Sequence, residues 1–162
     1  MIRNLVELGP NLQKVMNRLL ANQNLLKYLY YTDKDPLSHE DLTQKQIQEE
    51  IFEKQVKIVP RVGPKEDAKS LISLRVIHGP SDPQNAEFRT IVLAIEVFVP
   101  LTQWFIKSEN LRPFCIMGEI QESLNGKIVN GLGKITGGSF SLNFLTEEIS
   151  CYEMEFRFTE YD

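Results

Sequence analysis

The period of the apolar positions changes along the chain, and those changes set out the expected elements. In PNLQKVMNRLLANQNLLKYLYY, Leu12, Val15, Met16, Leu19 and Leu20 fall at the i, i+3, i+4, i+7 spacing of one helix face. Pro10 suits a first-turn position, where its missing N–H costs nothing. Asn22 to Asn24 interrupt the stripe and can cap a second short helix carrying Leu25, Leu26 and Leu29. TDKDPLSHED reads as a loop, because Asp35 before Pro36 disfavours helix. A weaker helix is expected around LTQKQIQEEIF, with Leu42, Ile47 and Ile51 as its apolar contacts.

The period then becomes that of strands. QVKIVPRV sets Val56, Ile58 and Val62 against Lys57 and Arg61, and Pro60 marks it as a sheet edge. SLISLRVIHG places Ile72, Leu74 and Val76 on one face. A turn cluster, GPSDPQNAE, leads into FRTIVLAIEVFVP, whose apolar character predicts a central strand buried on at least one side. A helix entered at Arg112–Pro113 carries Ile116, Met117, Ile120 and Leu124 inward. Two strands finish the chain. SFSLNFL puts Phe140, Leu142 and Phe144 on one face; ISCYEMEFRFTEY alternates Tyr152, Met154, Phe156 and Phe158 with Glu153, Glu155 and Arg157. The expectation is one α+β domain over residues 1–162. A mainly helical segment, 1–54, precedes a β-β-β-α-β-β unit, 55–162, whose antiparallel sheet of about five strands packs against helices.

Composition narrows the classes. At 162 residues the chain is long enough to bury a substantial core, and 42% hydrophobic with 25% charged residues is ordinary for a globular protein. A net charge of −4 gives no bulk attraction to nucleic acid or anionic lipid. The N-terminus lacks a secretory pattern, and no apolar run approaches the roughly 18 residues of a membrane span. Cys115 and Cys151 form no metal or redox motif. Two reduced thiols in a cytosol-made protein are expected, with a single disulfide left open.

Residues 125–139, NGKIVNGLGKITGGS, raise the question of a phosphate-binding loop. The spacing fails: from Gly126 the second glycine falls at Gly131, but Leu132 stands where lysine is required, and Ile135 follows Gly133–Lys134. A helix precedes the run and a strand follows it, the reverse of what such a loop needs. The glycines therefore read as turn residues, with Gly126 as a left-handed helix cap. His39 and His78 lie away from any metal-ligand spacing. Glu153 and Glu155 share a face, as carboxylates on any wet strand face do. Glu96 sits inside the apolar strand and needs a partner, for which Arg75, Arg89 and Arg112 are candidates. Trp104 lies in a polar link and reads equally as a lid on the sheet or as an interface anchor.

The order of these segments resembles a known family. VFVPLTQWFIK, then LRPFCIMGEIQESLNGKIVNGLGKI, then two antiparallel strands, is similar to small head–tail joining proteins of tailed bacteriophages: tail-completion (tail-terminator) and neck proteins. NLLKYLYYTDKDPL is like the helix and loop that open some of them, so the likeness spans most of residues 20–160. The resemblance implies a virion structural protein, made in the host cytoplasm, that forms a ring, often hexameric, and docks the tail tube to the head connector. It implies no enzyme activity, no cofactor, no metal, no membrane and no sequence-specific nucleic acid. Trp104, Arg112, Gly131 and Gly133 stand where subunit or partner contacts are expected. The alternative is an α+β module binding a small ligand or peptide in a pocket beside the Arg112 helix. An enzyme using Glu96 or the Glu153/Glu155 pair ranks third.

Overall fold

The computed structural model describes residues 5–58, 69–78 and 91–159. The expected turn over 79–87, the strand residues Pro60 to Val62 and Arg89 lie outside the described residues. The helices are α1 (Leu8–Leu20), α2 (Gln23–Tyr30), the short α3 (Gln44–Gln46) and α4 (Arg112–Leu124). The strands are β1 (Val56–Lys57), β2 (Leu71–His78), β3 (Ile91–Pro100), β4 (Phe105–Ile106), β5 (Asn110–Leu111), β6 (Ile128–Val129), β7 (Gly133–Leu145) and β8 (Ile149–Thr159). The class is α+β. Six strands form one sheet in the order β1-β2-β3-β8-β7-β6, and β4 and β5 make a separate hairpin. The sheet is mixed rather than antiparallel throughout, because β1 runs parallel to β2 through Val56 and Lys57. No helix among the described residues is long and apolar enough to cross a membrane.

Local chemistry accounts for the helices. The α1 stripe of Leu12, Val15, Met16 and Leu19 is buried. Asn22 caps α2: its side-chain oxygen accepts the Leu25 N–H at 3.0 Å. The same side chain donates to Glu119 Oε2 and Ser123 Oγ, both at 2.9 Å, tying α2 to α4. Thr43 and Gln46 form a reciprocal capping box at α3, which continues into one wider turn, Ile47–Ile51. Helix α4 buries Ile116, Met117, Ile120 and Leu124. Asn125 ends it in an extended conformation. Gly126, at φ 74°, donates its N–H to Ile135 O at 2.8 Å and so opens the next hairpin rather than capping the helix.

The core lies between the helices and one sheet face. Ile91, Leu93, Ile95, Val97 and Val99 of β3 point into it beside Met154, Phe156 and Phe158 of β8 and Ile72 and Leu74 of β2. Strand β3 is buried on both faces, and its far face carries Phe98, packed with Ile149 and Cys151. Neither Cys115 nor Cys151 is in a disulfide.

Two features of the C-terminal hairpin depart from the sequence pattern. The glycine run does not separate elements; β7 starts at Gly133 and runs through it. Gly137 makes this possible. Its φ is +125°, and a Cβ there would stand 2.7 Å from the Glu155 carbonyl oxygen, so only glycine fits the bulge between Gly137 and Ser139. A second irregularity between Leu142 and Phe144 reverses the alternation. Phe140 and Leu142 keep to the helix-side face opposite Met154 and Tyr152, whereas Phe144 turns to the far face, opposite Cys151, with its ring 6.0 Å from that of Phe98.

Candidate functional site: the open edge of the sheet

The glycine-lysine run is held by its carbonyls. Asn11 Nδ2 donates to Gly131 O at 3.2 Å, Lys14 Nζ to Asn130 O at 2.7 Å and Arg18 Nη2 to Ile128 O at 3.0 Å. A phosphate loop presents N–H groups instead. Gly131 lies so close to Asn11 that a Cβ would fall 2.6 Å from its Oδ1. Gly133, at φ 86°, begins β7. Gly131 thus serves the docking of this hairpin on α1, and Gly133 turns the chain into β7.

Arg112 is fully buried, which withdraws it from the surface role expected of it. Its guanidinium donates to Tyr28 O at 2.6 Å, Tyr31 O at 2.8 Å, Asp33 O at 2.5 Å and Gln103 O at 2.8 Å. It supplies the carbonyls at the end of α2 with donors and pins the loop beyond to the link before β4. Burial pulls its pKa below the ordinary guanidinium value, and the nearby Asp33 opposes that shift.

Glu96 has found its partner. On the far face of the sheet Arg75 Nη2 lies 3.3 Å from Glu96 Oε1 and bonds Glu153, and Asn143 Nδ2 donates to Glu96 Oε1 at 3.1 Å. Burial works against the Arg75 charge, but the hydrogen bond to Glu153 and the charge of Glu96 outweigh it and raise its pKa. Glu96 and Glu153 are cross-strand neighbours sharing one guanidinium, the arrangement of a structural ion pair. No cluster of three His, Cys, Asp or Glu groups able to hold a metal occurs among the described residues. The hollow beside α4, about 520 Å³, is an open groove lined by Gly118, Gln121, Glu122, Asn125 and Lys127. It is not the apolar pocket that a ligand-binding module uses.

The remaining candidate is the outer side of β7. Among the described residues β6 pairs only with Gly133 and Lys134, and Gly126 and Lys127 bond the backbone of Ile135. Beyond Ile135 the strand continues to Leu145 paired with β8, which is its strand partner there among the described residues. The helix layer also stops short there. Phe140 is 57% exposed, Leu142 51% and Leu145 57%. Phe114, in the first turn of α4, lies 6.2 Å from the Phe140 ring and 5.5 Å from that of Tyr152. Trp104 extends the group, 6.4 Å from Tyr152, with its Nε1 donating to Ser150 Oγ at 3.0 Å. Of the four expected contact residues, only Trp104 joins this surface. The sequence pattern shows Phe140 and Leu142 only as sharing a face; the missed signal is the absence of any charge or proline from Thr136 to Leu145.

The protein is therefore a two-layer α+β chain whose most distinctive surface, among the described residues, is the outer side of β7 with exposed aromatics beside it. The sequence matches the YomW family over residues 22–158, most of its length, and the chain belongs to that family. YomW is a Bacillus phage-region family, which makes this a phage-associated protein. The match begins at Asn22, the cap of α2, and leaves α1 outside it. No curated protein matches the chain.

Proposed function

We propose that this chain is a structural component of a phage particle, a tail-completion or neck protein that acts by assembly rather than catalysis. On this reading its copies associate, as a ring, and dock the tail tube to the head connector within the virion. The observation that carries the reading is the outer side of β7, where backbone hydrogen-bonding groups and a group of exposed apolar side chains stand together. Such an edge gains both ladder bonds and apolar burial when another strand is laid beside it. Membership of a phage-associated family supports the same reading. The ion-paired Arg75, Glu96 and Glu153 act within the sheet and leave the work to surfaces.

The test is mass spectrometry of density-gradient-purified particles, with negative-stain imaging of the isolated chain. The proposal expects the chain in particles at a fixed, low copy number and closed multi-subunit species on the grid. A chain absent from particles and found only in the lysate would overturn it.

A further inference from the structure

We infer that Phe105 of one copy of this chain seats in the hollow beside the β4–β5 hairpin of the next copy, so that chains join head to tail. This rests on the assembly part of the reading above and adds a contact away from β7.

The hollow, of about 130 Å³, lies between the hairpin and the turn that follows α2, where Tyr28, Pro36, Leu37 and Ile106 line it together with Lys34 and Asn110. Its two sides are fixed to each other. The Lys107 N–H donates to Lys34 O at 2.6 Å, and Lys107 Nζ pairs with Asp35 Oδ2 at 2.9 Å. Arg112, which follows β5 directly, bonds Tyr31 O and Asp33 O of the same turn. A hollow braced in this way is formed before anything enters it, which lowers the cost of binding. Cofactor and drug-sized ligands take pockets of roughly 300–1,000 Å³; this one suits a single side chain.

Phe105 is the counterpart. Its ring is 70% exposed. Across the hairpin Phe105 faces Leu111 and Ile106 faces Asn110, and successive strand residues point to opposite sides. Ile106 and Asn110 line the hollow, so Phe105 stands on the other face of the hairpin. A chain that gives its ring to one neighbour therefore offers its hollow to another. Such a contact is heterologous: it repeats from copy to copy and closes into a ring where the rotation allows.

Charge matches the two halves. Exposed Glu109 lies in the turn beside the strand that carries Phe105, and exposed Lys34 lies beside the hollow. Neither is ion-paired among the described residues. Glu109 also holds a φ of 56°, a left-handed conformation that favours glycine, so a carboxylate is kept there at a cost in stability. Seating the ring brings Glu109 of one copy toward Lys34 of the next, opposite charges at the rim of an apolar contact.

The experiment starts from the full chain carrying Phe140→Asp, which weakens association at β7 and leaves the hairpin untouched. This parent is expected still to associate. Adding Phe105→Asp removes the ring, and adding Leu37→Asp instead places a charge in the wall of the hollow. Both positions are exposed, so circular dichroism should not change. Each variant alone should associate at least roughly tenfold more weakly than the parent by sedimentation equilibrium. Mixed in equal amounts, the two should form a species of two chains and nothing larger, because one keeps its hollow and the other its ring. A mixture that stays at the monomer mass, or variants that associate as strongly as the parent, overturns this contact and leaves assembly through another surface standing. A parent that is monomeric where the wild type associates does the same. A wild-type chain that stays monomeric at every concentration overturns both.

Discussion

Replacing Arg112 by methionine keeps much of the side-chain volume but removes the donors that join three segments of chain. The carbonyls of Tyr28, Tyr31, Asp33 and Gln103 lose their bonds, all in or near the interior. A hydrogen bond to a charged group contributes roughly 1.5–3 kcal/mol, so four bonds taken separately would reach roughly 6–12 kcal/mol. The real loss is smaller, because the bonds share one guanidinium and methionine avoids the cost of burying its charge. A net destabilisation of about 3–5 kcal/mol follows, a large part of the roughly 5–15 kcal/mol that holds such domains together. With a urea slope of about 2 kcal/mol/M the unfolding midpoint falls by about 2 M, read by far-UV circular dichroism at equilibrium. Arg112→Lys should land between, since a single ammonium cannot reach all four carbonyls. The reasoning fails if Arg112→Met unfolds within about 1 kcal/mol of the wild type. It fails in a different way if the variant loses self-association with an unchanged midpoint, because Arg112 would then act at a surface.

Three further outcomes are expected. Gly137→Ala forces a Cβ to within 2.7 Å of the Glu155 carbonyl oxygen at a φ of +125°, and should cost at least about 2 kcal/mol in thermal or urea unfolding. Glu109→Gly should stabilise by about 1 kcal/mol, because Ser108 and Glu109 hold successive positive φ values of 71° and 56° in the β4–β5 turn. Burial, followed by the neighbouring Cys115, pushes the Tyr28 hydroxyl up to about 12, so ultraviolet titration of the five tyrosines should show one ionising far later than an ordinary phenol. The linkage follows in sign. Tyr28 keeps its proton in the folded chain after the unfolded chain has begun to lose it near pH 10. Its contribution is therefore full below about pH 10 and is lost as the pH rises toward about 12.

Helices α2 and α4 and strands β3 and β8 were legible in the sequence because their signals are local. Asn22 caps three residues ahead, and apolar periods of 3.6 or 2 persist over whole elements. The parallel partner β1 was not legible, because two residues carry no direction. Nor was the course of β7. Its glycines resemble a turn cluster until Gly137 is seen to need the space beside Glu155, and the irregularity near Asn143 turns Phe144 to the other face. Arg112 looked like a surface charge. The carbonyls of α2 and its loop that bury it lie 79 to 84 positions away in the chain. The candidate site was half legible. The alternation of Phe140 and Leu142 is in the sequence, but their exposure depends on where α4 ends over the sheet and on which strand is left at the edge.

The measurement closest to the central claim is the mass of the purified chain by light scattering on a sizing column, across a wide range of concentration. An assembly protein that associates through its β7 side gives an 18.7 kDa monomer only at high dilution and multi-subunit species above it. Phe140→Asp should shift that transition upward in concentration. A wild-type chain that stays at the monomer mass throughout, with Phe140→Asp indistinguishable from it, would contradict the account.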